Sequence, residues 1–252
     1  TLVVGLPSIL RHLNHAIQAA PVNLVGAQIF ASPLRFDKDW TPQPYLAESW
    51  TFQDDGKSLL LRLVKGATFH DGKPITSEDV AFSIMAIKAS HPFNTMLAPV
   101  ERVDTPAPHL AVIRLKHEHP ALLLALSPAL CPILPKHIYG DGTDLRVHPR
   151  NSTPVGSGPF RLTNFVPNQQ IALERYPGFF MPGRPKVDRL IFRVLPDPAI
   201  QMLEIERGGI HMTATAVTAV QLEQAARIPG VRLVSVQKGA GSEQLACCSF
   251  RD

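Results

Sequence analysis

Hydrophobic positions along this chain come in short runs separated by turn residues, and the period of the runs changes along its length. Leu2-Val3-Val4-Gly5-Leu6 is continuous and predicts a short buried strand, followed by a mixed polar and apolar stretch. The turn residues Asp54-Asp55-Gly56-Lys57 open onto Leu59 to Val64, which predicts the strand of a hairpin. A second turn, His70-Asp71-Gly72-Lys73, leads to Pro74-Ile75-Thr76-Ser77-Glu78-Asp79. There a capping hydroxyl, two acids, and then Val80, Ile84 and Ile87 at helical spacing predict a helix start. His109 to Leu115 predicts another strand, and the leucines after Pro120 a short helix broken by Pro128.

Farther on, Ile171 to Arg175 and Val187 to Leu195 predict strands, and Ala199 to Arg207 a helix closed by Gly208-Gly209. Ile210-His211-Met212 resumes extended chain. This order is a β-α-β unit, which requires a right-handed crossover and two parallel strands in one sheet. A helix over Ala219 to Arg227, stopped by Pro229-Gly230, and a strand over Val231 to Val236 complete the pattern.

The chain has 252 residues, 45% of them hydrophobic and 18% charged, which excludes disorder and allows one large domain or two small ones. Of the 24 prolines, eleven lie from Pro92 to Pro159 and predict a long irregular region. Net charge is +4 and the pI near 9.1, but Lys and Arg are scattered without a basic block, which argues against a nucleic-acid partner. The uncharged stretches Ala16 to Leu34 and Pro120 to Pro135 carry polar residues or prolines and do not read as membrane spans. No leader precedes Thr1, so the chain reads as either cytosolic or already stripped of a signal. Cys131, Cys247 and Cys248 give an odd count without metal spacing, and the adjacent pair reads as strand residues on opposite faces.

Tests for chemistry come out blank. No G-x-S-x-G, H-E-x-x-H, P-loop or strand-linked G-x-G-x-x-G is present. Gly156-Ser157-Gly158-Pro159 suggests a nucleophile, but Pro159 offers no amide to an oxyanion and no helix signal follows, so the glycines read as backbone devices. His12/His15 and His117/His119 have pair spacing without a third ligand, so they read as surface histidines rather than metal ligands. Trp40 and Trp50 either stack on a ligand or join the core.

Several segments in order carry a resemblance. They are Pro44-Tyr45-Leu46-Ala47-Glu48-Ser49-Trp50, then Leu61 to Val80 with its Phe69-His70-Asp71-Gly72-Lys73-Pro74, then Leu134-Pro135-Lys136-His137-Ile138-Tyr139. Pro154-Val155-Gly156-Ser157-Gly158-Pro159-Phe160, Gly183 to Asp188 and Gly208-Gly209-Ile210 continue the series. Together they resemble the family 5 extracellular solute-binding proteins, the dipeptide, oligopeptide and nickel-binding components of ABC importers. Departures include Ser157 where Thr is usual, Phe180 where Trp is common and His211 where Asp is expected. Such proteins run to about twice this length, so the chain reads as a fragment.

The resemblance implies a mixed α/β fold of the periplasmic-binding-protein type II class with its second lobe absent. The first lobe would comprise residues 1–37 and 151–252, with an inserted β-rich subdomain over 38–150. It implies a non-enzymatic periplasmic receptor, or an extracellular one tethered to the membrane. That receptor would bind a peptide or similar small solute by hinge closure and serve an inner-membrane ABC permease, with no catalytic residue, cofactor or metal. A ligand-sensing domain of a cytosolic transcriptional regulator is the alternative. The expected ligand-binding residues are Val22 and Asn23, on the stretch Ala20 to Asn23 that resembles the cleft-facing segment of the family, together with Gly156 and Ser157 near the lobe junction. Asn23 equally suits a cap for a helix over Leu24 to Phe30, and Gly156 to Gly158 a plain tight turn. The 252 residues are expected to fold by themselves yet bind solute weakly with half the cleft missing.

Overall fold

Residues 1–213, 219–235 and 245–249 are described by the computed structural model of the chain. The first hydrophobic run forms strand β1 (Leu2–Leu6), and a long loop leads from it into helix α1 (Val22–Ile29). Pro21 precedes the helix and no side chain caps it, so Asn23 lies inside the first turn and the capping role expected for it is not what the fold uses. Strands β2 (Leu34–Phe36) and β3 (Pro42–Pro44) form a small pair. Next come β4 (Ala47–Gln53) and β5 (Ser58–Leu63), joined by a turn in which Asp54, Asp55 and Gly56 all take positive φ. Helix α2 (Ser77–Ser90) opens on the predicted signals: Asp79 Oδ2 accepts from the Thr76 amide at 2.9 Å, closing a capping box.

Strands β6 (Val100–Ala107) and β7 (Leu110–Leu115) complete an antiparallel sheet in the order β4-β5-β7-β6. Both strands lie inside the proline-dense stretch from Pro92 to Pro159 that was expected to be irregular; its helices are all one-turn, among them α3 (Leu122–Ala125) and α4 (Lys136–Tyr139). Strands β8 (Phe160–Val166), β9 (Gln170–Arg175) and β10 (Arg189–Val194) follow. Helix α5 (Pro198–Arg207) then starts at Asp197, whose carboxylate accepts from the Ala199 amide at 2.7 Å, and ends at Gly208 with φ +74°. Strand β11 (Met212–Thr213), helix α6 (Ala219–Ala226) and strands β12 (Val231–Ser235) and β13 (Leu245–Ser249) close the described chain. Val236, expected in the last predicted strand, and the side chains of Cys247 and Cys248 lie outside the described residues.

Seven strands form one sheet in the order β12-β13-β11-β1-β10-β9-β8. The predicted β-α-β unit is β10-α5-β11, but its two strands are not neighbours, because β1 lies between them and runs parallel to both. This sheet draws on residues 2–6 and 160–249, the four-stranded sheet on residues 47–115, and one continuous hydrophobic core joins the two. Strand pleating explains how β1 serves two layers. Val4 and Leu6 enter the main core with Val22, Val25 and Ile29 of α1. Val3 faces the other way, against Met202 and Ile205 of α5, Ile210 and Ala225.

Candidate functional site

Because α1 and α5 cover opposite faces of the sheet, the helical layer changes side at β1. In open α/β sheets a crevice opens at such a point, outside the carboxyl ends of the strands. Here Leu195 N donates to Leu6 O at 2.8 Å, so the carboxyl ends of β1 and β10 lie side by side. Gln201 in α5 fastens that edge: its Nε2 donates to Leu195 O at 2.5 Å and its Oε1 accepts from the Thr213 hydroxyl at the end of β11. Gly5 leaves room for this, since a Cβ there would approach Ile210 Cδ1 to 2.8 Å.

Both helices begin at this edge. Helix α5 follows the end of β10 directly. Helix α1 runs back along β1, because Ala27 and Gln28 near its end share a cavity with Leu2 and Leu190 at the amino ends of β1 and β10. The two N-termini differ chemically. Asp197 already caps α5, whereas the first turn of α1 has neither an acidic residue nor a side-chain cap. Asn23 sits in that turn, and its buried Oδ1 has no hydrogen-bond partner among the described residues. Val22 is buried beside it. A groove of about 510 Å³ lined by Arg11, Ser152, Thr153 and residues 162–165 lies toward the carboxyl end of β8, which runs in the same direction as β1.

Ser157 and Gly156 sit at the other end of α1, roughly 9 Å along its axis from Asn23 at 1.5 Å per residue. The fold therefore does not bring the four expected residues together. Ser157 is fully buried; its hydroxyl accepts from Ala31 N at 3.0 Å and donates to Ile133 O at 2.9 Å. A Cβ on Gly156 would come within 2.0 Å of Ile29 O, and Gly158 N donates to that same carbonyl at 2.7 Å. Residues 156–158 thus clamp the C-terminus of α1.

Two histidines support the clamp and the helix. His70 Nδ1 accepts from Gly156 N at 3.1 Å, so its proton is on Nε2, which donates to Gly158 O at 3.0 Å. Burial depresses its pKa to about 4, keeping the ring neutral. Tyr176 packs against it, tilted by 58° with ring centroids 4.8 Å apart, and donates its hydroxyl to Phe69 O at 2.7 Å. His15 is wholly buried with a pKa lowered to about 3, chiefly by desolvation, and it packs beneath Gly26, where a Cβ would come 2.2 Å from Nδ1. Neither role is visible in the sequence, where His15 reads as a surface histidine of a spaced pair, an expectation that its complete burial corrects. The one available signal is Gly26, a glycine within a helix that no turn requires.

Trp50 packs partly buried against the core and Trp40 is exposed. No three His, Cys, Asp or Glu side chains converge among the described residues, and no described helix is long and apolar enough to cross a membrane.

Known proteins share this architecture. The solved structure of the oligopeptide-binding protein AppA from Bacillus subtilis, in complex with a nonapeptide, superposes with a TM-score of 0.81 at 26% identity, over 93% of this chain and 47% of that one. NikZ from Campylobacter jejuni, in complex with Ni(L-His), gives 0.83 at 25% identity, over 93% and 47%. In sequence, a Brucella ovis chain provisionally described as an ABC transporter peptide-binding protein is 32% identical over 174 residues, which is 67% of this chain and 32% of that one. AppA is 30% identical over 173 residues, 66% of this chain and 31% of its own. The chain thus matches about a third of the length of these curated relatives and about half of the solved ones. The profile described as bacterial extracellular solute-binding proteins, family 5 Middle, matches residues 41–246. Matched over most of its length, the chain belongs to family 5 of the bacterial extracellular solute-binding proteins.

Proposed function

We propose that the protein is the solute receptor of an ABC importer and holds a peptide against the carboxyl edge of the seven-stranded sheet. It would act in the periplasm, or outside the cell tethered to the membrane, and pass its ligand to an inner-membrane permease. An opposing lobe closing over the crevice would exclude water from the bound solute. One observation carries the choice of a peptide: the uncapped first turn of α1 with the unpaired, buried Asn23 Oδ1. The carbonyl suits an amide or ammonium donor; the Val22 and Leu24 amides already donate to Ala19 O and Pro21 O at 3.2 Å, which leaves the Asn23 amide of the first turn for a carbonyl or carboxylate. A peptide carries both. Val22 lines the same turn, while Gly156 and Ser157 act from the far end of the helix by fixing its axis.

Calorimetry of the protein with peptides of three to nine residues tests this reading. Asn23→Ala is expected to weaken the best peptide about five- to thirtyfold, the cost of one buried hydrogen bond. Unchanged affinity for every peptide that binds would remove Asn23 from the site. A panel in which no peptide binds would overturn the peptide reading itself.

A further inference from the structure

The opposite edge of the sheet carries a second concavity, which the crevice does not use. It is an open hollow of about 500 Å³ at the amino ends of β1, β10 and β8, with Leu2, Leu190 and Phe160 among its lining residues. That volume is in the range of small-molecule sites. Three cations, Arg35, Arg184 and Lys186, stand around it, and no Asp or Glu is among its lining residues. None of the three enters an ion pair among the described residues; Arg35 spends only its Nε, on Pro44 O at 3.0 Å. The neighbouring acid, Asp188, is already committed to Arg175 at 2.6 Å.

One wall is aromatic. Tyr45 contacts Phe179 and Phe180 with ring centroids 6.2 and 5.4 Å away. Burial raises the pKa of the Tyr45 hydroxyl, which therefore remains a donor, and neither it nor the Gln28 amide makes a hydrogen bond among the described residues. Like charges gathered without a counter-charge around an apolar floor repel one another until an anion arrives, and a guanidinium pairs with a carboxylate in a fixed fork.

We propose that this cavity is a second binding site, for an organic anion whose carboxylate meets Arg35, Arg184 and Lys186 while an aliphatic or aromatic body lies against Tyr45 and Phe179. It is separate from the crevice and stands whether or not that crevice takes peptides.

Titration with decanoate, followed by calorimetry, is the test, with decyltrimethylammonium as the chain of opposite charge. Decanoate is expected to bind one to one with a Kd below about 1 mM, and more weakly as salt is added. The double variant Arg184→Gln/Lys186→Gln is expected to lose about tenfold or more in affinity. Its unfolding midpoint should move by less than about 2 °C, since both side chains are exposed. Asn23→Ala is expected to leave decanoate binding unchanged. The proposal is overturned if decanoate fails to bind at about tenfold above that Kd, if the cationic chain binds equally well, or if the double variant binds like the parent. Loss of decanoate binding in Asn23→Ala would move the ligand to the crevice and overturn it too. An oligoglutamate peptide that binds where decanoate does not would give the surface to a protein partner instead.

Discussion

His211 Nδ1 accepts from the Val3 amide at 3.0 Å, and the His211 amide donates to Val3 O at 2.8 Å. A carboxylate, expected here in the family, would accept the same proton, so the imidazole keeps the hydrogen bond with different chemistry. His211→Asp should therefore leave stability within about 0.5 kcal/mol, while His211→Ala should cost about 1 kcal/mol in urea unfolding. His70 gives the fold a pH dependence. Its pKa of about 4 lies below the ordinary 6.5 because the ring is buried. The unfolded chain therefore takes up a proton that the folded chain refuses. The stabilisation is complete above pH 6.5 and is lost as pH falls from 6.5 toward 4, on the order of 3 kcal/mol in all. Between pH 7.5 and 4.5, the parent should lose about 2 kcal/mol more than His70→Gln, as measured by denaturant unfolding. An equal loss in both would mean that the ring is protonated in the fold.

Elements whose signals are local were legible in the sequence. Gly208 ends α5 and Thr76 with Asp79 opens α2, where the pattern places them, while Asp197 and Pro198 start α5 just ahead of the predicted Ala199. What the pattern lacked was partnership. β1 was read correctly as a strand, but nothing in five apolar residues says that it enters between β10 and β11, nearly two hundred positions away. The same holds at the candidate site. The stretch around Asn23 was singled out through resemblance, but the start of α1 was missed because Pro21 takes the place of the usual polar cap. Ser157 read as a turn or junction residue because its two partners, Ala31 and Ile133, come from separate parts of the chain. Ser157→Ala should cost about 2–3 kcal/mol in thermal unfolding by orphaning a buried amide and a buried carbonyl. A loss below about 0.5 kcal/mol would mean that water replaces the hydroxyl.

At the scale of the whole molecule, two hydrophobic clusters share one wall, β1, and the two edges of that wall differ in chemistry. The carboxyl edge presents an open helix start and an unpaired amide oxygen; the amino edge presents three cations. Sharing one wall ties the two layers together, since β1 sends Val4 and Leu6 toward α1 and Val3 toward α5. It also sets a clock. Leu6 leaves the ribosome about two hundred residues before Met212, and at roughly 5–20 residues per second the strand waits about 10–40 s for its second neighbour. For most of that interval the strand has neither neighbour, because β10 is made only about twenty residues before β11, and the wall is built last around the strand that was made first.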